Sequence, residues 1–308
     1  MRRADGLFLW LLLLCSLCLV ACEKEEGEVV YYHNNPLPVG QRRLNMLAIG
    51  NSYAANATQH LGCLLTAAGI ADSACAVYLA DFSGASLSDW WNIAQEGIVL
   101  KLTWRAGHKM PVESGTLAEI LAQDWDVITL QQNSSNSASF STFNPSLQHL
   151  IEFIQSQCTN PRVALAWHLT WSYADGYEAN ETAIERWRRI CNTAQHMTTA
   201  NGIDILIPSG TAIQNARATT LNTQGQLTID GSHLDRGVGC YVAASCYFET
   251  LFAPVFETTV LGNMATYSLP VDRFADDLYP STPVTDENRE LCQRCAVAAV
   301  ASPFEVAF

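Results

Sequence analysis

Ser52, and an aspartate and a histidine three residues apart at Asp230 and His233, are the residue types in this chain that together activate a hydroxyl. Ser52 ends a Gly50-Asn51-Ser52 turn between the apolar stretch Leu44–Ile49 and a run of helix formers and small residues from Ala54 to Ile70. A strand, a tight turn and a helix in that order hold a hydroxyl above the edge of a parallel sheet, where helix N–H groups face developing negative charge. In Asp230-Gly231-Ser232-His233-Leu234-Asp235 the spacing lets one carboxylate reach Nδ1 of the ring while Nε2 points elsewhere. A serine hydroxyl is a weak nucleophile until a neutral imidazole accepts its proton, a role worth roughly 10²–10⁴-fold. An imidazole ordinarily titrates near ~6.5 and is mostly neutral at pH 7. Taken singly, each pattern has a plainer reading: Ser52 as a helix cap, and Asp230 to His233 as a turn with an Asx cap.

These residues need elements to position them. Apolar content and turn signals predict strands over 44–49, 74–81, 126–130, 162–167 and 203–208. Helices are expected over 54–69, 116–123, 145–158, 177–200 and 236–252, the third with Leu147, Leu150, Ile151 and Ile154 at spacings of three and four. A small hairpin of 98–104 and 109–112 is expected beside the main sheet. The alternation argues for about five parallel strands with helices on both faces. Ligands collect at the carboxyl ends of such strands. The polar residues expected there are Asn51 and Ser52, then Gly84, then Gln131 to Ser134, then His168, with the Asp230–His233 loop before the last helix. Residues 253–308 are read as packing around a domain that spans 44–252.

Residues 1–22 are expected to lie outside the fold. Arg2 and Arg3 precede an apolar run from Leu7 that ends in Leu19-Val20-Ala21-Cys22, an order of basic head, apolar middle and small-residue processing site. The closing cysteine resembles a bacterial lipobox, which implies cleavage before Cys22 and acylation there; a plain secretory signal or a single anchor is the alternative. Acyl chains would hold the protein at an outer membrane, surface-exposed or facing the periplasm, by apolar burial at roughly 0.8 kcal/mol per CH₂. Residues 23–43 form a polar tether with an acidic start. The whole chain carries a formal charge of −13, a surface that repels phosphate backbones and argues against a nucleic-acid partner. Roughly 260 residues after the tether suffice for one α/β domain with a sizeable core. Cysteines at 63, 75, 158, 191, 240, 246, 292 and 295 permit disulfides in an exported chain, with connectivity open. None is expected to be catalytic.

The early Gly-x-Ser, the Gly84 turn, an asparagine after the third strand and the late Asp-x-x-His resemble the four blocks of the SGNH hydrolases. More narrowly, GNSY, SGASLSDWW, WDVITLQQNSS and DGSHLD are similar to a branch whose first block reads Gly-Asn-Ser. The resemblance implies a flavodoxin-like doubly wound sheet, no metal or organic cofactor, and a short-chain acyl ester, on carbohydrate in many members, as substrate. It implies Ser52 as nucleophile, His233 as general base and Asp230 as the residue orienting that base. Ser52, Gly84 and Asn133 are the expected oxyanion donors, with the amides of Gln132 and Gln131 as alternatives. Asn51, Gln131, Trp167, His168 and Trp171 are weaker candidates for lining the cleft, the tryptophans equally readable as core. The block departs from the common pattern at Asn51, usually Asp, and at Gln131-Gln132-Asn133-Ser134, usually Gly-x-Asn-Asp. A carbohydrate-binding or scaffold lipoprotein without turnover, and a thioesterase or lysophospholipase, are the competing readings.

Overall fold

The computed structural model describes residues 36–203, 205–269 and 277–308; the signal segment, Cys22 and most of the tether lie outside them. The strands are β1 (Leu44–Gly50), β2 (Cys75–Asp81), β3 (Leu100–Gly107), β4 (Ser114–Gly115), β5 (Val127–Leu130), β6 (Ala164–His168) and β7 (Ile205–Ile207). They form one sheet in the order β4-β3-β2-β1-β5-β6-β7. β2, β1, β5, β6 and β7 run parallel, and β3 and β4 add an antiparallel ribbon at one edge. This is the doubly wound arrangement that the alternation predicts. The chain leaves β1 for β2 on one side and returns to β5 on the other, so the strand order reverses at β1. A crevice opens at such a switch point, outside the carboxyl ends of the strands.

Alternation along β1 divides the core. Leu44, Met46 and Ala48 face α1 (Ser52–Thr58), α2 (Leu61–Ala67), α7 (Ser209–Arg217), α8 (Val238–Tyr247), α9 (Ala253–Phe256) and α10 (Arg289–Ala301). Leu47 and Ile49 face α3 (Leu87–Glu96), α4 (Leu117–Leu121), α5 (Ser146–Gln157) and α6 (Ala183–Ala200). Because both faces are covered, every residue of β1 is buried. Val238–Phe256 is apolar and long enough to cross a membrane by composition, yet 83% of it is buried inside the fold.

Several elements differ from the sequence reading for identifiable reasons. The expected helix over 54–69 breaks at Gln59-His60, where both side chains turn to the Arg236 carbonyl, at 3.1 and 2.8 Å. The expected helix from 177 starts only at Ala183, because Thr182 and Glu185 form a capping box. The expected 98–104/109–112 hairpin is replaced. β3 pairs with β2 and with the short β4, while the Met110 N–H is taken by the Tyr78 hydroxyl. α3, also opened by a capping box at Ser86 and Asp89, is an additional helix. So are α7 and α10, which pack against one another in the first core. The eight cysteines outside the signal segment are all free thiols.

Candidate active site

Gly50 ends β1 under close constraint: a Cβ there would lie 2.7 Å from Ala54 Cβ and 3.0 Å from the Gln131 side chain. The chain turns at once into α1, where Asn51 is the N-cap and its Oδ1 accepts the Tyr53 N–H at 2.9 Å. Ser52 is the first residue of that helix, so its N–H has no intrahelical acceptor. Its hydroxyl is half-buried, and Oγ lies 3.0 Å from His233 Nε2 across 181 residues of chain. His233 Nδ1 is 2.6 Å from Asp230 Oδ2. Asp230 Oδ1 accepts the Ser232 and His233 N–H groups at 2.8 and 2.7 Å, which fixes the carboxylate before it meets the ring. Partial burial alone would raise the Asp230 pKa. The hydrogen bond from the His233 ring and the two N–H donors outweigh it, holding the group below the ordinary aspartate value.

Asn51 and Gln131 are placed differently from the cleft-lining role considered for them. Both are buried. Asn51 Nδ2 donates to the Ala85 carbonyl at 3.0 Å, and its Oδ1 also accepts from Gln131 Nε2 at 2.8 Å. Gln131 Oε1 lies 2.9 Å from His168 Nδ1, and an amide oxygen can only accept, so His168 carries its proton on Nδ1. His168 is buried with Nε2 unpartnered, and burial pushes its pKa down to about 3. His168, Gln131 and Asn51 are thus a buried chain that fixes the turn carrying Ser52. All three side chains are buried.

The other weaker candidates are corrected on the same ground. Trp167 packs on Phe143 in the second core, and Trp171 stacks on Tyr53 with ring centroids 4.2 Å apart. Of the third-block amides, Gln132 is committed within the protein. Its oxygen accepts the Leu87 and Asn133 N–H groups, and its nitrogen donates to the Thr142 carbonyl. Asn133 Nδ2 donates to the Gly84 carbonyl at 3.0 Å, which leaves its second amide proton uncommitted by that bond. Gly84 itself has a φ of +68°. Asn133 and Gly84 therefore sit together at the turns after β5 and β2.

Tyr53, Ser232 and Asn56, which the sequence did not single out, tie the two halves of the site together with Trp171. The Tyr53 hydroxyl is 2.9 Å from Ser232 Oγ, Trp171 Nε1 donates to the Ser232 carbonyl at 2.8 Å, and Leu234 N donates to Asn56 Oδ1 at 3.1 Å. The tyrosine is fully buried, which raises its pKa and keeps its proton. Arg217, also buried and lowered to about 10 by burial, donates to Ser172 and to the Gln226 carbonyl, bracing the flanking loops. Tyr53 follows Ser52 directly and Ser232 precedes His233, and adjacency was the one available signal. Among the described residues no group of histidines, cysteines and carboxylates is arranged to hold a metal ion.

Fold and site together define a doubly wound α/β protein with a serine, a histidine and an aspartate in line at the switch point. The chain belongs to the DUF4886 family, a domain of unknown function, which it matches over residues 45–264. It is similar to a DUF4886 family protein from Bacteroides uniformis, with 26% identity and a TM-score of 0.69 over 86% of this chain and 97% of that one. A more distant similarity is to an acetyl xylan esterase, with 15% identity and a TM-score of 0.44 over 65% of this chain and 96% of that one. No curated protein sequence matches the chain.

Proposed function

We propose that this chain is a serine ester hydrolase that removes a small acyl group from a carbohydrate through an acyl-enzyme. The observation that carries the reading is the line from Ser52 Oγ to His233 Nε2, 3.0 Å, and from His233 Nδ1 to Asp230 Oδ2, 2.6 Å. Nδ1–H donates to the ionised Asp230, so Nε2 presents its lone pair to the serine. Ser52 Oγ bonds to the ester carbonyl carbon as its proton passes to Nε2, and the same proton then goes to the departing alkoxide. Water repeats the sequence in reverse to release the acid. The Ser52 N–H, the Gly84 N–H and the Asn133 amide are the donors for the developing oxyanion, where loss of one donor costs on the order of 10²–10³ in turnover. The amino-terminal pattern supports export and a lipid anchor at Cys22, with the domain facing the periplasm or the exterior.

The test compares hydrolysis of a short-chain ester by the wild-type protein and by Ser52→Ala. The reading expects turnover that drops at least about 10³-fold in the variant. Equal rates in the two proteins would remove the hydrolase reading in favour of a binding or scaffold protein.

A further inference from the structure

Trp167 and Trp171, the aromatic candidates for lining the cleft, are interior. A different ring stands at the site. Tyr177 is 51% exposed, and its ring lies against the turn that carries the base: a Cβ on Gly231 would come 2.6 Å from Tyr177 Cδ2. Gly231, at φ +92°, is the residue between Asp230 and Ser232. The contact is braced by backbone bonds from Ala174 N to the Gly231 carbonyl and from Tyr177 N to the Ala174 carbonyl, 2.8 and 3.2 Å. The ring is also backed from behind. Tyr173 meets Tyr177 with centroids 4.5 Å apart, and the Arg186 guanidinium sits 4.1 Å over Tyr173. Arg186 is in turn fixed by Glu178, Glu181 and the Ser134 carbonyl.

We infer that Tyr177 is a stacking platform for the alcohol half of the substrate, and that the ring it takes is a neutral sugar. The inference rests on the reading of Ser52 and His233 as nucleophile and base. In that chemistry Nε2 of His233 returns the proton to the leaving oxygen, so the alcohol must lie on the His233 side. The carbonyl oxygen turns the other way, toward Gly84 and Asn133. Tyr177 packs on the turn that carries His233, the base that serves the leaving group. An open recess of about 610 Å³ begins at the next residue of the chain, with Glu178, Asn180, Glu181, Glu185 and Arg188 among its lining side chains. The carboxylate, amide and guanidinium groups there can solvate hydroxyls, while the acidic chain disfavours an anionic alcohol. A pyranose presents a C–H face to the tyrosine and hydroxyls to these polar groups.

The test measures kcat/KM of the full chain on a partially O-acetylated neutral gluco-oligosaccharide and on methyl acetate, which has no ring to stack. The ratio of the two constants should fall about tenfold in Tyr177→Ala, mainly through KM for the sugar ester, and be retained in Tyr177→Phe. An unchanged ratio, or equal loss on both substrates, would overturn the platform. Should the wild type hydrolyse neither ester faster than Ser52→Ala, the hydrolase reading fails, and calorimetric binding of the same oligosaccharide decides the platform alone. Binding to Ser52→Ala that is lost in the Ser52→Ala/Tyr177→Ala double variant supports it, and its absence overturns it.

Discussion

Asn51 sits where the resembling hydrolases usually carry aspartate, and its contacts explain the amide. One end accepts from Tyr53 N and Gln131 Nε2, and the other donates to the Ala85 carbonyl. A carboxylate could do the first but would set a buried negative oxygen against a carbonyl oxygen. Asn51→Asp is therefore expected to destabilise the fold by about 1–3 kcal/mol, measured by urea denaturation at neutral pH, with part of the loss recovered on acidification. Unaltered stability at neutral pH would show that the donor to Ala85 is dispensable. The departure at Asn51 thus belongs to the support of the turn and leaves the Ser52 hydroxyl in place. The changed third block resolves in a similar way: Gln132 is consumed by the loop it belongs to, and Asn133 remains beside Gly84.

Among elements, the turn after β1 and the loop before α8 are held in register by Tyr53, Trp171, Ser232 and Asn56. Tyr53→Phe removes one hydrogen bond and keeps the stack on Trp171, so its stability cost should be about 1 kcal/mol. Its effect on turnover should exceed that on KM, because the loss falls on the position of His233 relative to Ser52. Steady-state kinetics together with denaturation read the two effects separately; a change in KM alone would argue against a positioning role. The strand–helix alternation and the turns that carry Ser52, Asp230 and His233 were legible because apolar strands and polar turns repeat along the chain, whereas the strand order was not. The ties between the loops were not, since a buried tyrosine that meets a serine 179 residues away leaves no local pattern. For the same reason Trp167 and Trp171 read equally well as cleft or core, and only packing places them in the core. Tyr177 was invisible because the turn that exposes it falls where helical periodicity extends too far toward the amino terminus.

Over the whole molecule, two buried groups oppose one another as pH changes. Asp235 accepts from Gly237 N and Gly239 N, but burial dominates and raises its pKa to about 7. A raised carboxyl pKa gives a contribution present below the unfolded value, near ~3.9, and lost as pH rises through about 7. His168 runs the other way: lowered to about 3, it contributes above ~6.5 and loses that contribution as pH falls. Denaturation midpoints at several pH values should show Asp235→Asn gaining on the wild type as pH rises from about 4 to 7. A constant offset across that window would mean that Asp235 does not titrate there.

The nucleophilic character of Ser52 is the claim on which site, function and platform depend, and covalent labelling tests it without knowledge of the substrate. A fluorophosphonate, which phosphonylates an activated serine, should add one group to the protein, mapped by peptide mass spectrometry to Ser52. The adduct should be absent in Ser52→Ala and formed far more slowly in His233→Ala. No adduct on the wild-type protein, or labelling of Ser52 at the same rate without His233, would contradict the account.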